Sequence, residues 1–590
     1  MDRIISVGDD LTIPPSIKVA DANLPTGAKV GTVAGKVGKG ELIFSVLDEG
    51  AVPDATDAGG TDNTAAFQRT IDKVKAAQLG SSFGHGAGML IPPGNWHVSG
   101  APQLCSDLHI IMWGATIRKY GTSTTYSAFE ARSGGAQGYG ASVRNVLFQG
   151  GTFRGSFTSG ALSGCAVTLH HAKNVTFHKV TWREAIVSGH AIDAIGCDGV
   201  LVDDCDFEGF KPQTDREYVE AIQVDHSTAS SGGSDALSSF DGLPSINIVA
   251  RNSRFVQLKI GVTTYPAPNP IGSHSRVAGR WLENITFDQN YVEGGDSNLA
   301  TSGFSVTNQG WLHFLCARNV TVTRNTFKNV GSRQTKVLYF NTIGTGTALA
   351  DVQNPAAVST PMTVMPVDNL VWDDNTLIGF TNDTMENLVE VRGTQAVNAT
   401  NIHIGKTTLK DSFSTPGVTA DKGATLVYLQ DCTGITLDGN HLNIARELIN
   451  AFRCKKIKIH GGELLNLGAF MGRFNECVDV KIRDVDVDGH GGGWWFFGGT
   501  TGISVSGGSI LNGRADALRK KHFSISGAAE WSVKDVRMPK DANGFTSAID
   551  AYSTSTKGIV KENMALGWDA GTFLSLGSGS TTTAYADNVY

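Results

Sequence analysis

The chain has 590 residues, a formal net charge of −7 and only 18% charged residues. No basic stripe stands out, so nucleic acid is not an expected partner. No run of 18 apolar residues is present, so no membrane insertion is expected. The first residues, MDRIISVGDDLTIPP, have neither the apolar core nor the cleavage site of a secretory signal peptide.

The N-terminal region is predicted to hold an attachment segment and the start of the main fold. Residues 1–41 contain Pro, Gly and Lys with little periodicity, and we interpret them as an attachment segment. The stretch ELIFSVLDEGA at 41–51 is typical of a β-strand. This strand is the predicted entry to the main domain.

A helix is predicted next, over about residues 62–79. Asp62 is the expected N-cap. Phe67, Ile71 and Val74 fall on one face at spacings of four and three. A helix with one apolar face would cover the N-terminal edge of a β-structure, which otherwise exposes unpaired backbone groups.

From residue 144 onward the chain repeats one phrase. It consists of apolar–x–apolar, two or three small or polar residues, a large apolar residue, and then Gly or Asn, as in KNVTFHKVTW at 173. Successive phrases are 22 to 50 residues apart, and a minimum near 22 with additions indicates a solenoid. The first apolar residues are Val146, Val175, Val200, Ile246, Ile285, Val320, Leu370, Ile402, Ile435, Ile457, Val480, Ile503, Val533 and Ile559.

This repeat predicts the fold class. Strand-length apolar runs broken by Gly and Asn favour an all-β protein, a right-handed parallel β-helix of about 14 coils over residues 42–565. Each coil adds about 4.8 Å, the spacing of neighbouring strands, so fourteen coils imply a rod of about 65 Å. The last residues, 566–590, are rich in Gly, Ser and Thr and are interpreted as a C-terminal extension.

The cysteines are predicted to form a buried ladder. Cys197, Cys432, Cys454 and Cys477 each lie three residues before the opening apolar residue of a phrase. Parallel side chains in register do not favour disulfide geometry, and one ladder does not surround a zinc ion. The sequence therefore assigns no metal and no cofactor.

The uneven spacing of the phrases points to the catalytic region. The longest consecutive intervals, 46, 39, 35 and 50 residues, run from Val200 to Leu370. Extra residues in a solenoid leave it as loops, often on the binding face. We therefore expect long loops and the active site within about residues 187–370.

Two segments in this region are predicted to stack as neighbouring strands, HAIDAI at 190–195 and EAIQVD at 220–225. Their alternation places Ile192, Ala194, Ile222 and Val224 inward, and it places Asp193, Ile195, Gln223 and Asp225 outward. His190 would lie below Glu220 at the strand start. The expected pairs are Ile192 with Ile222, Asp193 with Gln223, Ala194 with Val224, and Ile195 with Asp225.

This stacking limits which carboxylates can act together. Asp193 and Asp225 differ by one coil and two residues, or about 8 Å between their backbones. This lies within the roughly 6.5–9.5 Å of inverting glycosidases. Glu220 and Asp225 lie up to about 16 Å apart if extended, so they cooperate only if the strand start bends. The alternative is that the acids are ordinary turn or ladder residues and that His190 is packed.

Two motifs carry a resemblance to a known superfamily. GTDNTAAFQRTID followed by LIPPGNWHV resembles the entry of pectate-lyase-like β-helix proteins, especially tailspikes and tail-associated depolymerases of bacteriophages. EAIQVD, then DGLPSINIV and IGSHSR, resembles the order E-A-I-Q-x-D, D-G-x-P and G-S/T-H of phage and prophage members. The resemblance implies a polysaccharide-degrading tail protein. It implies Glu220 and Asp225 as catalytic or substrate-binding carboxylates and His274 as a loop residue near the cleft.

Further residues are candidates for substrate binding. LVEVRG places Glu390 and Arg392 on one face of a strand, and LVYLQ places Tyr428 and Gln430 on one face of theirs, so the two pairs would extend an outward groove; the alternative is a solvated face. Trp494–Phe497 offer a sugar-stacking platform or, more simply, core or subunit contacts. The full predicted site comprises the catalytic residues Glu220, Asp225 and Asp193 and the binding residues His190, Gln223, Lys259, His274, Arg276, Glu390, Arg392 and Tyr428.

Three functions remain open at this point. The leading one is a phage tailspike-type depolymerase that hydrolyses a bacterial surface polysaccharide with a carboxylate acid and base. The second is a polysaccharide lyase that acts by β-elimination on a uronic-acid glycan, with roles for Lys259, His274 and Arg276. The third is a non-catalytic glycan-binding fibre. The resemblance implies a homotrimer on the virion, attached to a phage tail or baseplate through residues 1–41.

Overall fold

The computed structural model describes most of the chain from Ile43 onward, and the predicted attachment segment 1–41 lies outside the described residues. The described ranges are 43–79, 87–119, 127–158, 166–186, 189–211, 220–229, 240–294, 310–330, 336–342, 364–380, 387–410, 425–443, 446–513, 520–540, 543–578, 580–586 and 588.

The chain winds through three long sheets, which we call the first, second and third sheet. Successive coils add parallel neighbours to each sheet. The first sheet comprises Ile43–Ser45, Ala87–Leu90, Leu108–Ile111, Arg144–Gln149, Lys173–His178, Asp198–Asp203, Ile246–Arg251, Leu282–Asp288, Ala317–Thr323, Asp368–Asp373, Ala399–Ile404, Cys432–Asp438, Lys455–His460, Val478–Arg483, Thr501–Ser506, Ala529–Lys534, Thr556–Lys561 and Thr582–Ala586.

The second sheet comprises Gly94–Val98, Ala115–Lys119, Thr152–Arg154, Thr181–Ile186, Asp206–Phe210, Arg254–Val256, Tyr291–Gly294, Thr326–Asn329, Asn375–Ile378, Thr407–Lys410, His441–Asn443, Glu463–Leu467, Asp486–His490 and Ser509–Gly513. The third sheet comprises Ser127–Ala131, Ala166–His170, Ile192–Ile195, Glu220–Asp225, Asn269–Gly272, Gly310–Leu315, Lys336–Asn341, Asn387–Arg392, Thr425–Gln430, Glu447–Phe452, Gly472–Asn475, Trp494–Phe497, Lys521–Ser526, Ser547–Tyr552 and Leu574–Leu576. An antiparallel hairpin joins Leu258–Ile260 to Thr263–Tyr265.

The predicted right-handed parallel β-helix is confirmed, and the first sheet has more strands than the fourteen phrases predict. All fourteen phrases fall in the first sheet, which has 18 strands in the described part of the chain. The additional strands are Ile43–Ser45, Ala87–Leu90, Leu108–Ile111 and Thr582–Ala586. The last of these lies beyond residue 565, where the sequence analysis ended the β-helix.

Three positions in the predicted register are wrong. Val200 pairs with Ile248 rather than Ile246, Ile503 pairs with Trp531 rather than Val533, and Ile559 pairs with Ser532, whereas Val533 pairs with Val560. In the last strand Gly558 occupies the inward position, so the sequence pattern selects its outward neighbour. In the other two strands an apolar residue occupies each of two positions that are two residues apart. Side chains two residues apart point to the same face, so the local pattern does not distinguish them.

In most phrases the residue immediately before the first apolar position adopts a left-handed backbone conformation, which explains part of the repeated pattern. Asn174 has φ 54° and Asn284 has φ 58°, in the left-handed region that Asn and Gly tolerate best. Asn side chains at this position also bond one another along the axis, as from Asn284 Nδ2 to Asn247 Oδ1 at 2.9 Å. The repeated Asn or Gly therefore marks a bend that recurs in each coil.

The predicted capping helix is present as Thr64–Leu79. Phe67, Ile71 and Val74 are buried against the core, as predicted. Asp62 lies two residues before the helix and accepts hydrogen bonds from Thr64 N and Ser99 N, each at 3.0 Å. Short helical turns occupy Val46–Glu49 and Ala570–Phe573. No helix among the described residues has the length and apolar character needed to span a membrane.

Two further sequence features, the cysteines and the aromatic segment, contribute to the interior of the β-helix. Cys197, Cys432, Cys454 and Cys477 are buried free thiols, as predicted. In the segment Trp494–Phe497, Trp494 and Phe496 are fully buried in the core, whereas Trp495 and Phe497 alternate with them and remain partly exposed. The aromatic run is thus divided between the core and the outer face of the third sheet.

Candidate functional site

The predicted stacking of the two acidic segments is confirmed in the third sheet. Ile192 pairs with Ile222, Asp193 with Gln223, Ala194 with Val224, and Ile195 with Asp225. The inward residues are Ile192, Ala194, Ile222 and Val224, which belong to the core. The outer face therefore carries Asp193, Gln223 and Asp225, as the sequence predicts.

Loop residue His274 connects Glu220 and Asp225, which are five residues apart on one strand. His274 Nε2 lies 2.6 Å from Glu220 Oε2, and the His274 backbone N–H donates to Asp225 Oδ1 at 2.8 Å. The predicted bend of the strand is therefore unnecessary, because one residue of the next coil reaches both acids.

Burial and charge together set the protonation of this pair. The Glu220 side chain is 2% exposed and that of His274 is 45% exposed. Burial alone would raise the pKa of Glu220, but the His274 charge and hydrogen bond, with His190 and His313, lower it to about 2. The Glu220 charge raises the pKa of His274 to about 9, against the effect of burial. At neutral pH the pair is a buried carboxylate and an accessible imidazolium.

Asp225 has the geometry of a residue that positions a loop. It is fully buried. Its Oδ1 accepts from the backbone N–H groups of His274 at 2.8 Å and Ser275 at 3.0 Å, and its Oδ2 accepts from Gln223 Nε2 at 2.5 Å. Ser275 Oγ also accepts from His226 N at 2.6 Å. Asp225 thus fixes the backbone that carries His274.

Asp193 and His190 complete the group beneath His274. Asp193 is fully buried, and its negative charge contributes to the raised pKa of His274. His190 Nδ1 lies 2.7 Å from the Glu220 carbonyl oxygen and 3.9 Å from Glu220 Oε2, which is where the sequence places it. None of the three predicted catalytic carboxylates is exposed, so His274 is the group of this cluster that solvent reaches.

The sequence analysis missed His313, which lies on the same outer row. It pairs with Gly272, which itself pairs with Gln223. Neither ring nitrogen of His313 has a hydrogen-bond partner among the described residues. Burial lowers its pKa to about 4, against the effect of Glu220. His313 is therefore neutral at neutral pH. The alternation of apolar residues in GWLHFL, residues 310–315, predicts that His313 points outward, and this is the signal that could have identified it.

Three residues of the cluster have the geometry of possible metal ligands. The ligand atoms of His190, Glu220 and His274 all lie within 4.8 Å of one another. Two imidazoles and a carboxylate can hold a divalent transition metal. The sequence assigned no metal because these residues come from three coils and have no characteristic spacing. The described structure therefore offers one ligand set that the sequence did not anticipate.

The remaining predicted binding residues fall into two groups. Lys259 is exposed on the hairpin that packs on Phe157 beside the second sheet, apart from the acids of the third sheet. Arg276 lies in the His274 loop, where its charge lowers the pKa of His313. The structure thus brings Arg276 to the cluster and places Lys259 on another part of the surface.

Glu390, Arg392 and Tyr428 continue the outer face of the third sheet. Glu390 pairs with Tyr428, and it is fully buried. Arg392 Nε lies 2.6 Å from Glu390 Oε1, and Lys336 Nζ lies 2.8 Å from Glu390 Oε2. The Arg392 guanidinium lies 5.1 Å above the Tyr428 ring. The structure therefore confirms that Glu390, Arg392 and Tyr428 lie on one outward face, as the sequence predicts.

Gly272 gives Glu220 the space it needs. A Cβ atom at residue 272 would lie 2.7 Å from Glu220 Cγ and 3.0 Å from Glu220 Oε1. We expect Gly272→Ala to displace the carboxylate from His274 and to lower any activity of this cluster by about 10- to 100-fold, because misplacement by about 1 Å has such an effect. Thermal melting should show that the variant remains folded. Full activity in a folded variant would mean that the Glu220–His274 contact is not needed.

Neither a protein-family model nor a curated protein matches this chain. The surface adhesin PfbA of Streptococcus pneumoniae aligns with a TM-score of 0.47 and 18% identity, over 82% of this chain and 92% of that chain. A GH87 α-1,3-glucanase catalytic unit from Streptomyces thermodiastaticus gives 0.39 and 12%, over 84% and 69%. Bacteriophage CBA120 tailspike protein 3 gives 0.31 and 10%, over 91% and 62%. These values are too low to carry a functional conclusion.

Proposed function

We propose that this chain is a phage tailspike-type depolymerase that cleaves a bacterial surface polysaccharide, either capsule, exopolysaccharide or O-antigen. The observation that carries the proposal is the 2.6 Å contact between buried Glu220 and accessible His274 on the outer face of a solenoid. Perturbed titratable groups gathered from several coils are typical of an active site. The resemblance of EAIQVD and IGSHSR to phage members agrees with this function.

Hydrolysis is the reaction we propose first. The imidazolium of His274 donates a proton to the glycosidic oxygen as the bond to the anomeric carbon breaks. Water adds to that carbon, and the proton it releases returns to the imidazole. Glu220 holds the ring and stays ionised, and Asp225 positions the loop. The negative charges of Glu220, Asp193 and Asp225 stabilise the positive charge that develops on the sugar.

A lyase is the second candidate, and His313 favours it. β-Elimination on a uronic acid needs a positive group beside the sugar carboxylate and a neutral base for the adjacent C–H. His274 with a raised pKa and His313 with a lowered pKa have these two charge states at neutral pH. His313 is 7% exposed, so its ring would have to turn outward to take the proton from the sugar carbon. The glycosidic bond then breaks, a double bond forms in the sugar, and the leaving oxygen takes a proton from water.

Product analysis separates these reactions. The full chain would be incubated with purified capsules from a panel of bacteria, and new reducing ends and ultraviolet absorbance would be followed. Hydrolysis gives reducing ends without absorbance, whereas elimination gives both because its product is unsaturated. Binding without new reducing ends from any capsule would contradict the proposed enzyme and leave a glycan-binding fibre.

The pH profile tests the protonation of His274. We expect kcat/KM to stay high through neutral pH and to fall as pH rises through about 9, the pKa of His274. Because Glu220 is the main cause of the raised pKa, Glu220→Gln should move this limb towards 6.5, the ordinary value. The ion pair also stabilises the fold fully below that ordinary value, and this contribution is lost as pH rises through about 9. If the alkaline fall of kcat/KM occurs at the same pH in Glu220→Gln, the titration of His274 is not its cause.

The location and assembly also remain proposals. We infer a virion protein whose residues 1–41 attach to a phage tail or baseplate. A homotrimer would bury part of the long surface of a β-helix around a threefold axis. Sedimentation of the full chain tests the trimer, since a monomeric mass would contradict it.

A further inference from the structure

Cations and aromatic rings recur along the outer face of the third sheet, beyond the Glu220 cluster. Counting strands from Glu220–Asp225 to Gly472–Asn475 gives seven steps, or about 34 Å at about 4.8 Å per step. We name this region the arginine–aromatic face. It comprises Arg392, Tyr428, Phe452, Arg473 and Trp495 on strands of the third sheet, and Arg453 and Phe470, which lie just beyond the ends of such strands.

Each arginine of this face is held by a buried carboxylate. Arg453 Nε and Nη2 donate to Asp431 Oδ1 and Oδ2 at 2.7 and 2.8 Å. Arg473 Nε and Nη2 donate to Glu447 Oε2 and Oε1 at 2.7 and 2.6 Å. Two-point contacts of this kind fix the guanidinium plane. The arginines are therefore oriented before any ligand arrives.

Each guanidinium also lies over an aromatic ring. Arg453 lies 4.0 Å from the centre of the Phe452 ring, and Arg473 lies 5.1 Å from that of Phe470. The Phe470 and Trp495 rings are 5.0 Å apart. Phe470 is buried and supports the Trp495 ring. The partly exposed rings of Phe452 and Trp495, with oriented polar groups beside them, can contact both the apolar face and the polar substituents of a sugar.

The charges of this face favour an anionic ligand. Fully buried Glu390 contacts both Lys336 and Arg392, and fully buried Glu447 contacts both Arg446 and Arg473. Each of these groups therefore contains two cations and one anion, although the whole chain has a net charge of −7. Arg392 and Arg453 remain 37% and 26% exposed. Their guanidinium groups carry more N–H donors than one carboxylate uses.

The face is continuous with the candidate active site. The outward row runs from Gln223 through Gly272, His313, Tyr339, Glu390, Tyr428, Asn450 and Arg473 to Trp495. One linear chain lying along the axis could therefore contact both regions. Arg392, Arg453 and Arg473 lie beside or on this row and come from three different coils, which matches a polymer with a carboxylate in each repeating unit.

We propose that the arginine–aromatic face is a second binding region for a carboxylate-bearing polysaccharide, which begins four coils from Glu220 and ends eight coils from it. As a substrate-binding region it rests on the proposed function, but the binding itself does not depend on cleavage. The face would hold the polymer while the Glu220–His274 cluster acts on one bond of it.

Affinity electrophoresis of the full chain tests this proposal. Native gels would contain polygalacturonate, alginate or hyaluronan, with dextran as the neutral control and dextran sulfate as the control for charge alone. We expect retardation by at least one carboxylated polymer and none by dextran. Arg453→Gln should weaken binding by about tenfold, the effect of losing one hydrogen bond to a charged ligand. Trp495→Ala should weaken binding by about the same factor, because the apolar contact of the indole ring is lost.

Arg251→Gln is the matched control. Arg251 Nε lies 2.9 Å from Asp203 Oδ1 on the first sheet, and its side chain is 46% exposed. This variant should bind as the unaltered chain does. Trp495→Ala removes no charge, so it remains informative if Arg453→Gln folds poorly because Asp431 is left buried without its arginine.

Several results would overturn the proposal. These are no retardation by any carboxylated polymer, equal retardation by dextran, retardation by dextran sulfate only, and unchanged binding by folded Trp495→Ala. A changed sedimentation coefficient with unchanged retardation would assign the face to a subunit contact instead. Cleavage of a neutral capsule without retardation would contradict this inference alone, whereas retardation without cleavage of any capsule would contradict the proposed function alone.

Discussion

The His274→Ala variant is expected to lose about 10²- to 10⁴-fold in kcat, the usual contribution of a general acid or base. Three carboxylates lie beneath this residue, yet each is buried, and the imidazole is the accessible group. Removing the imidazole removes the proton that the leaving oxygen needs. Polysaccharide binding should persist, because the arginine–aromatic face is unchanged.

The measurement is the initial rate of reducing-end formation on the capsule that the unaltered chain cleaves. His460→Ala is the matched control, because His460 contacts Asp438 at 3.3 Å on the first sheet and is 60% exposed. The control should retain full activity. An active His274→Ala variant would remove His274 from the reaction and return attention to the buried acids.

The second large effect is expected for Asp225→Ala. This change leaves the backbone N–H groups of His274 and Ser275, and the Gln223 amide, without their acceptor. Each unsatisfied buried donor costs about 1–3 kcal/mol, so the loop should shift to satisfy them. We expect a loss of about 10²-fold in kcat, because a displacement of about 1 Å at the reacting group has this effect.

Hydrogen exchange identifies the cause of this loss. The backbone amides of residues 274 and 275 should exchange faster in Asp225→Ala, while amides of the first sheet keep their protection. Asp438→Ala is the control, since Asp438 is 51% exposed on the first sheet. Lost activity with unchanged exchange at 274 and 275 would mean that Asp225 takes part in the chemistry itself.

The winding of the chain and most of the register between strands follow from the local pattern of apolar residues. Residues such as Val146, Val175 and Val200 recur because each coil must bury an apolar residue on the one below. The same alternation predicted that Asp193 stacks with Gln223 and Ile195 with Asp225. The local pattern was sufficient for these strands because only one register buries the apolar side chains of both.

The contacts of the loops, in contrast, depend on packing between coils that are distant in sequence. Ile246 and Ile248 are both apolar and share one strand face, so stacking on Val200 alone selects Ile248. His274 lies 54 residues from Glu220, and no periodicity in the sequence fixes where such a loop residue lies. Burial of the acids and the perturbed pKa values of His274 and His313 follow from that packing. The period of a solenoid is encoded locally, whereas the path of its loops depends on the coils they pack against.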